Sequence, residues 1–354
     1  MGGKETAVLT RFEWFCGGGY WPRMRPVGKA LVCFSMLLAL ASCTAKTPAP
    51  ETLVFADPNQ PMAGLVYIAE ANGYFKDEQL TLSYREFTSG RDAIDSVLAG
   101  AADVGVATEF PLAKNIFDGK DLHIIGTLYR TSENAALVGR RDRGIEHVAD
   151  LKGKRIGVAP NTNSDYMLSL MLTEAGIAET LITRVPYKPE QLADALAEGQ
   201  VDAMVTWSPH VAHAEARFAT DATVRLKASG FTELSLLGAR PQVLDKKAEA
   251  FRRLLRALVR AEDYVATHEP EALRFLIQQL GVKQEADLRR AWPALKFQVR
   301  LDNLMLATLS DEAAWIAARA TTAGAVPDFR TRLSPQFLEA ARPQAVTLTF
   351  ERVN

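Results

Sequence analysis

The sequence predicts an α/β protein of two lobes, each built on a mostly parallel sheet and joined to the other by two crossings. Three observations carry this expectation. Short apolar runs of strand character alternate with helical repeats from Leu53 onward. The alternation begins afresh after Ala135. Extended segments at Ala135–Arg141 and Glu233–Pro241 bracket the second set as crossings. One lobe therefore takes residues 52–134 and 240–354, and the other takes residues 135–239.

The elements follow in order. Leu53–Asp57 is a strand, and Met62–Asn72 is a helix stopped by Gly73. Thr81–Phe87 alternates as a strand, and Ser89-Gly90 open a helix over Arg91–Leu98 that stops at Gly100. Ala102–Ala107 is a buried strand, Thr108 begins another helix, and His123–Arg130 is a strand. In the second set, Arg155–Ala159 is a strand, Ser164–Ala175 a helix and Ile182–Tyr187 a strand. Pro189–Ala197 is a helix and Asp202–Trp207 a strand. After Pro241 the pattern changes to long amphipathic helices, with Phe251, Leu254, Leu255, Leu258 and Val259 at helical spacing. Clefts between two such lobes are where small ligands bind.

Composition narrows the class. The 354 residues are 48% hydrophobic and 23% charged, enough to bury a core, which excludes disorder as the main state. A net charge of −1 supplies no basic field for nucleic acid. Residues 1–42 read as an address. The run Ala30–Ala41 is apolar but short for a membrane span, and Arg25 and Lys29 precede it. It ends in Leu40-Ala41-Ser42-Cys43, which resembles a bacterial lipobox whose cysteine carries the lipid. Met24 would start a signal of ordinary length, so residues 1–23 read as lying upstream of the true start. Residues 43–51 form a polar, proline-bearing tether. The cysteines are Cys16, Cys33 and Cys43, so a chain processed at Cys43 has no internal disulfide and no cysteine-based metal site.

Four stretches carry a resemblance. They are GLVYIAEANGYFKDEQL (Gly64–Leu80), FTSGRDAIDSVLAGAADVGVATEFP (Phe87–Pro111), ADLKGKRIGVAPNTNSDYMLSLMLTEAGI (Ala149–Ile177) and LADALAEGQVDAMVTWSPH (Leu192–His210). In this order the chain resembles the nitrate/sulfonate/taurine-type substrate-binding proteins of bacterial ABC importers, with the thiamine-pyrimidine-precursor type beside them. The resemblance implies a type-2 periplasmic binding protein fold. It implies a lipoprotein held outside the cytoplasm that delivers a small solute to a permease with its ATPase. No cofactor, metal or nucleic acid is expected, and no catalysis.

Candidate site residues stand where strands end and helices begin, because helix N-termini expose unpaired N–H groups and a partial positive charge. These are Ser89-Gly90, Thr108-Glu109 and Asn163-Ser164-Asp165, which the family fold would turn to one cleft. Serine, threonine and aspartate at such positions are also ordinary caps. Asp57, Pro61 and Met62 after the first strand would form another wall; Trp207, Tyr166 and Asn134 complete the set. Asp57, Glu109, Glu133 and Asp165 outnumber Arg91 and Arg130 in these loops. Burying a bare anion beside carboxylates is costly, which favours an amine-bearing, zwitterionic or amino-heterocyclic solute, with a sulfonate possible. Two other classes compete. One is a solute sensor partnered with a signalling receptor. The other is an enzyme of pyrimidine-precursor synthesis, which needs a histidine and clustered cysteines; a chain processed at Cys43 has no histidine before His123 and no cysteine cluster. His210 and His213 lie three apart on one helical face, but no third ligand pattern accompanies them.

Overall fold

The computed structural model describes residues 49–281, 285–320 and 324–349. The expected signal region 1–42, the expected lipidation residue Cys43 and the start of the expected tether lie outside the described residues. Residues from Ala49 onward form one compact unit. Among the described residues, no helix is long and apolar enough to cross a membrane.

Among the described residues, twelve strands form two sheets. β1 (Glu51–Asp57), β2 (Leu80–Glu86), β3 (Val104–Thr108), β4 (His123–Thr131), β10 (Glu233–Ala239), β11 (Lys296–Asp302) and β12 (Val346–Thr347) make the first. Their order is β12-β11-β4-β10-β3-β1-β2. β5 (Ala135–Arg140), β6 (Arg155–Val158), β7 (Thr183–Pro186), β8 (Ala203–Trp207) and β9 (Thr223–Leu226) make the second, in the order β7-β6-β8-β5-β9. The structure is thus α/β with two sheets, as the alternation predicts.

Parallel pairing runs through the βαβ units and between β11 and β12. β1 pairs parallel with β2 and β3, and β6 pairs parallel with β7 and β8. The strands that leave or enter a sheet by the crossings are antiparallel: β5 to β8 and β9, and β10 to β3 and β4. Strand β10 falls inside the 135–239 stretch of the sequence reading, yet it pairs in the first sheet. Its side chains are wholly buried there, and that burial is obtained only between β3 and β4. Three further strands, β9, β11 and β12, were not expected. The alternation of Lys296–Asp302 sits among helices, and β11 pairs with β4, far away in sequence.

Strand periodicity explains how the second sheet is covered on both faces. Along β5, Leu137 joins a cluster with Ile156, Met167 and Leu168. Its neighbours Ala136 and Val138 join Leu192, Leu196 and Val211 on the other face. The helix Gly90–Leu98 begins with its cap residue Ser89, whose hydroxyl accepts from the Asp92 amide at 3.2 Å. Gly90 itself is dictated by close approach: a Cβ there would meet Ala107 Cα at 2.8 Å and Met62 Sδ at 3.1 Å.

The helix Asn303–Arg319 touches elements attached to both sheets. Trp315 packs edge-on to Phe110 at 5.5 Å and to Tyr166 at 5.7 Å. Arg319 lies 4.1 Å over the Trp315 ring, donates to Ser169 Oγ at 3.0 Å, and pairs with Glu179.

Candidate functional site

The C-terminal ends of strands from both sheets open onto one cleft of about 950 Å³. This is the place at which open α/β sheets offer backbone N–H groups and loops to a ligand. From the first sheet the wall is Gln60, Met62, Thr88, Ser89, Gly90, Arg91, Asp92, Thr108 and Pro111. From the second it is the turn Ala159–Asn163, the loop Pro186–Gln191, Trp207 and His210. Asn134, between β4 and β5, stands where the chain first crosses.

Of the expected site residues, Met62, Ser89, Gly90, Thr108, Asn134, Asn163 and Trp207 line this cleft. The others are directed elsewhere. Asp57 is buried beneath the loop, where it accepts from the Tyr67 hydroxyl and from Asn59 N at 2.8 Å. Burial raises its pKa and the Tyr67 hydrogen bond opposes that rise. Pro61 lines a separate void of about 30 Å³ with Tyr129 and Ser208, room for about one water. Ser164 is fully buried against the Thr162 hydroxyl at 2.9 Å. Asp165 pairs with Arg184 and accepts from Asn161 N at 3.1 Å. Tyr166 packs between Phe110, Phe231 and Trp315. Glu133 pairs with Lys227.

Glu109 points inward, not to the cleft. It is fully buried, and its Oε2 accepts from Leu234 N at 2.7 Å. Its other oxygen and both oxygens of the equally buried Glu312 meet no donor among the described residues. Burial raises the pKa of Glu109, and Glu233 raises it further. Burial likewise raises Glu312 well above the ordinary carboxylate value, with Glu109 adding to it. Glu233, at the first residue of β10, completes the trio. Burial raises it too, but three donors oppose the rise: Asn134 Nδ2 at 2.7 Å, the Tyr129 hydroxyl at 3.4 Å and Asn163 Nδ2.

The sequence reading missed the Pro186–Gln191 side of the cleft. Its signal was present: Tyr187-Lys188 follow the end of a strand, where ligand loops form. His210 was read only as a metal candidate. Its ring stands edge-on to Trp207 at 5.8 Å and to His213 at 6.4 Å, and burial followed by His213 lowers its pKa. Trp207 Nε1 has no acceptor among the described residues.

The charges of the cleft are mixed. Arg91 and Asp92 line one wall, Lys188 and Glu190 the other. Both helix starts at the rim carry their own acid in the first turn, Asp92 after Ser89 and Asp165 after Thr162. These carboxylates offset the positive helix ends that a bare anion would use.

Comparison with known proteins gives the same architecture. The NMT1/THI5-like family pattern matches residues 60–272. A putative binding protein of Brucella abortus (strain 2308) is 28% identical over 222 residues, covering 58% of this chain and 63% of that protein. The chain thus matches less than two thirds of that relative's length. The taurine-binding periplasmic protein of Escherichia coli (strain K12) is 24% identical over 226 residues, covering 61% and 70%. The crystal structure of the periplasmic aliphatic sulphonate-binding protein from Escherichia coli superposes with a TM-score of 0.66 at 19% identity, covering 80% of this chain and 97% of that one.

Proposed function

The chain belongs to the NMT1/THI5-like family, and from that premise we propose that it is an extracytoplasmic solute-binding protein of an ABC importer. The observation that carries the proposal is the cleft of about 950 Å³ walled by strand ends from both sheets. A solute touching both walls binds the closed arrangement better than the open one, and that difference in affinity is what drives closure. One lobe comprises residues 52–134 and 240–354 together with strand β10; the other comprises the rest of 135–239. The crossings at Asn134 and Glu233 are the hinge. Cys43 carries the lipid that holds the protein at the membrane, and the closed form delivers its solute to a permease with its ATPase. The protein performs no chemistry on the solute.

The solute class follows from the walls. Asp92 and Glu190 offer carboxylates, Arg91 and Lys188 offer cations, and Trp207 and Tyr187 offer aromatic surface. An amino-heterocycle or a zwitterion satisfies this set, whereas a bare inorganic anion would meet the two acids. Isothermal titration of the purified protein with an aminopyrimidine, taurine, nitrate and sulfate tests this reading. Nitrate or sulfate binding more tightly than the other two would refute the solute class. A cleft that takes none of them, with no small molecule co-purifying by mass spectrometry, would refute solute binding itself.

A further inference from the structure

We infer that Glu233 is a positioning residue that locks Asn134 and Asn163 with their side-chain carbonyl oxygens free for the cleft, so that solutes are chosen for their N–H donors. This rests on the cleft being the solute site.

The argument begins with what an ionised carboxylate can do. It accepts hydrogen bonds and donates none, so every polar neighbour must present a donor. Glu233 is buried at the start of β10 and receives Asn134 Nδ2 at 2.7 Å, the Tyr129 hydroxyl at 3.4 Å, and Asn163 Nδ2. Turning either amide over would set its Oδ1 against a carboxylate oxygen in a poorly solvated place, at the cost of an unmade hydrogen bond. The orientation of both amides is therefore fixed. The opposite end of each, Oδ1, receives no donor from any described residue, and both asparagines line the cleft. Asn134 belongs to a crossing and Asn163 to the helix Asn163–Glu174 beside the second sheet. The two acceptors thus come from different parts of the fold and converge only because Glu233 holds both.

The remaining acids explain why Glu233 ionises before its neighbours. The groups around it are Tyr129 on β4, Glu109 at the start of the helix Glu109–Phe117, and Glu312 on the helix Asn303–Arg319. Glu233 has three donors, Glu109 has the Leu234 amide, and Glu312 has none. Glu312 accordingly holds its proton longest, and Glu233, with three donors, is the first of the trio to ionise as pH rises, to become an acceptor only.

Two matched pairs of probes test this on the full chain by isothermal titration. Taurine and ethanesulfonate share a sulfonate and differ by the amine; 4-amino-2-methylpyrimidine and 2-methylpyrimidine differ likewise. In the wild type the amine-bearing member of at least one pair binds about tenfold or more tightly, the worth of one well-made hydrogen bond in a desolvated site. Glu233→Gln brings that ratio toward one, because its NH₂ cannot accept and one asparagine must turn its nitrogen to the cleft. Asn163→Ala, which leaves Glu233 in place, weakens the amine-bearing probe about tenfold and leaves its partner unchanged. The side-chain amide resonances of Asn134 and Asn163, followed by NMR without any solute, shift in Glu233→Gln. Equal binding within both pairs overturns the selection for donors. Unshifted amide resonances overturn the positioning role and leave solute binding standing. Binding of none of the four probes overturns the solute site, and this inference with it.

Discussion

The side-chain amide of Asn134 donates to Glu233 at 2.7 Å, which ties the first crossing between the sheets to the start of the second. Asn134 lies between β4 and β5, and Glu233 is the first residue of β10. The proposed hinge of two strands bends as one unit only if the strands are coupled, and this bond couples them.

Asn134→Ala removes that tie and leaves Glu233 one donor short in a buried place. The expected loss of stability is about 1–3 kcal/mol, the cost of an unsatisfied buried acceptor. Urea denaturation of variant and wild type measures it, and an unchanged midpoint would count against the coupling.

The buried acids give stability a definite dependence on pH. Burial raises the pKa of Glu109, Glu312 and Glu233 in the native state above the ordinary value of 4.5. The unfolded chain therefore releases these protons at a lower pH than the native protein does. Their contribution is fully present below the unfolded value and is lost as pH rises through the raised native value. Melting temperature should fall between pH 5 and pH 8, and Glu312→Gln should flatten that fall. A variant with the wild-type slope would show that Glu312 is not the group responsible.

Gly90→Ala introduces a methyl group 2.8 Å from Ala107 Cα and 3.1 Å from Met62 Sδ. Backbone lies on one side, so the helix Gly90–Leu98 must move away from β3. About 1–3 kcal/mol of stability should be lost, as for other overpacked sites. Because Ser89 and Met62 both line the cleft, solute affinity should drop with it; thermal melts and titration report the two effects separately.

Trp207 divides into ring and N–H. Trp207→Phe keeps an aromatic face beside His210 and removes a donor that has no acceptor among the described residues. Solute affinity should survive if the ring supplies the contact and fall about tenfold if the N–H does. Trp207→Ala should lower affinity in either case.

Cys43→Ala should release the protein from the membrane fraction of cells into the soluble extracytoplasmic fraction, since one residue is proposed to carry the anchor. Fractionation followed by immunoblotting reads this directly, and a variant that pellets like the wild type defeats the lipid assignment.

Much of the architecture was legible before any coordinates, because its signals are local. The Ser89 cap acts on an amide three residues ahead, and the period-2 alternation of β5 sorts Leu137 from Ala136 and Val138. The helix starts at Ser89, Thr108 and Asn163 followed from the same reasoning; Ser89, Gly90, Thr108 and Asn163 line the cleft, while Glu109, Ser164 and Asp165 do not. The Pro186–Gln191 wall did not, since its position depends on β7 pairing beside β6.

The amino-acid order alone determined the alternation of elements and the α/β class, which rest on spacings of two to four residues, and it carried the family resemblance through four ordered stretches between Gly64 and His210. Only the tertiary structure decided which polar side chains face the cleft. Asp57 is claimed by Tyr67, Asp165 by Arg184 and Glu109 by the Leu234 amide. A polar side chain is satisfied by whichever partner the packing brings within about 3 Å, and for Arg184 and Leu234 that partner lies on another element of the fold. Residue type and local pattern do not specify that choice.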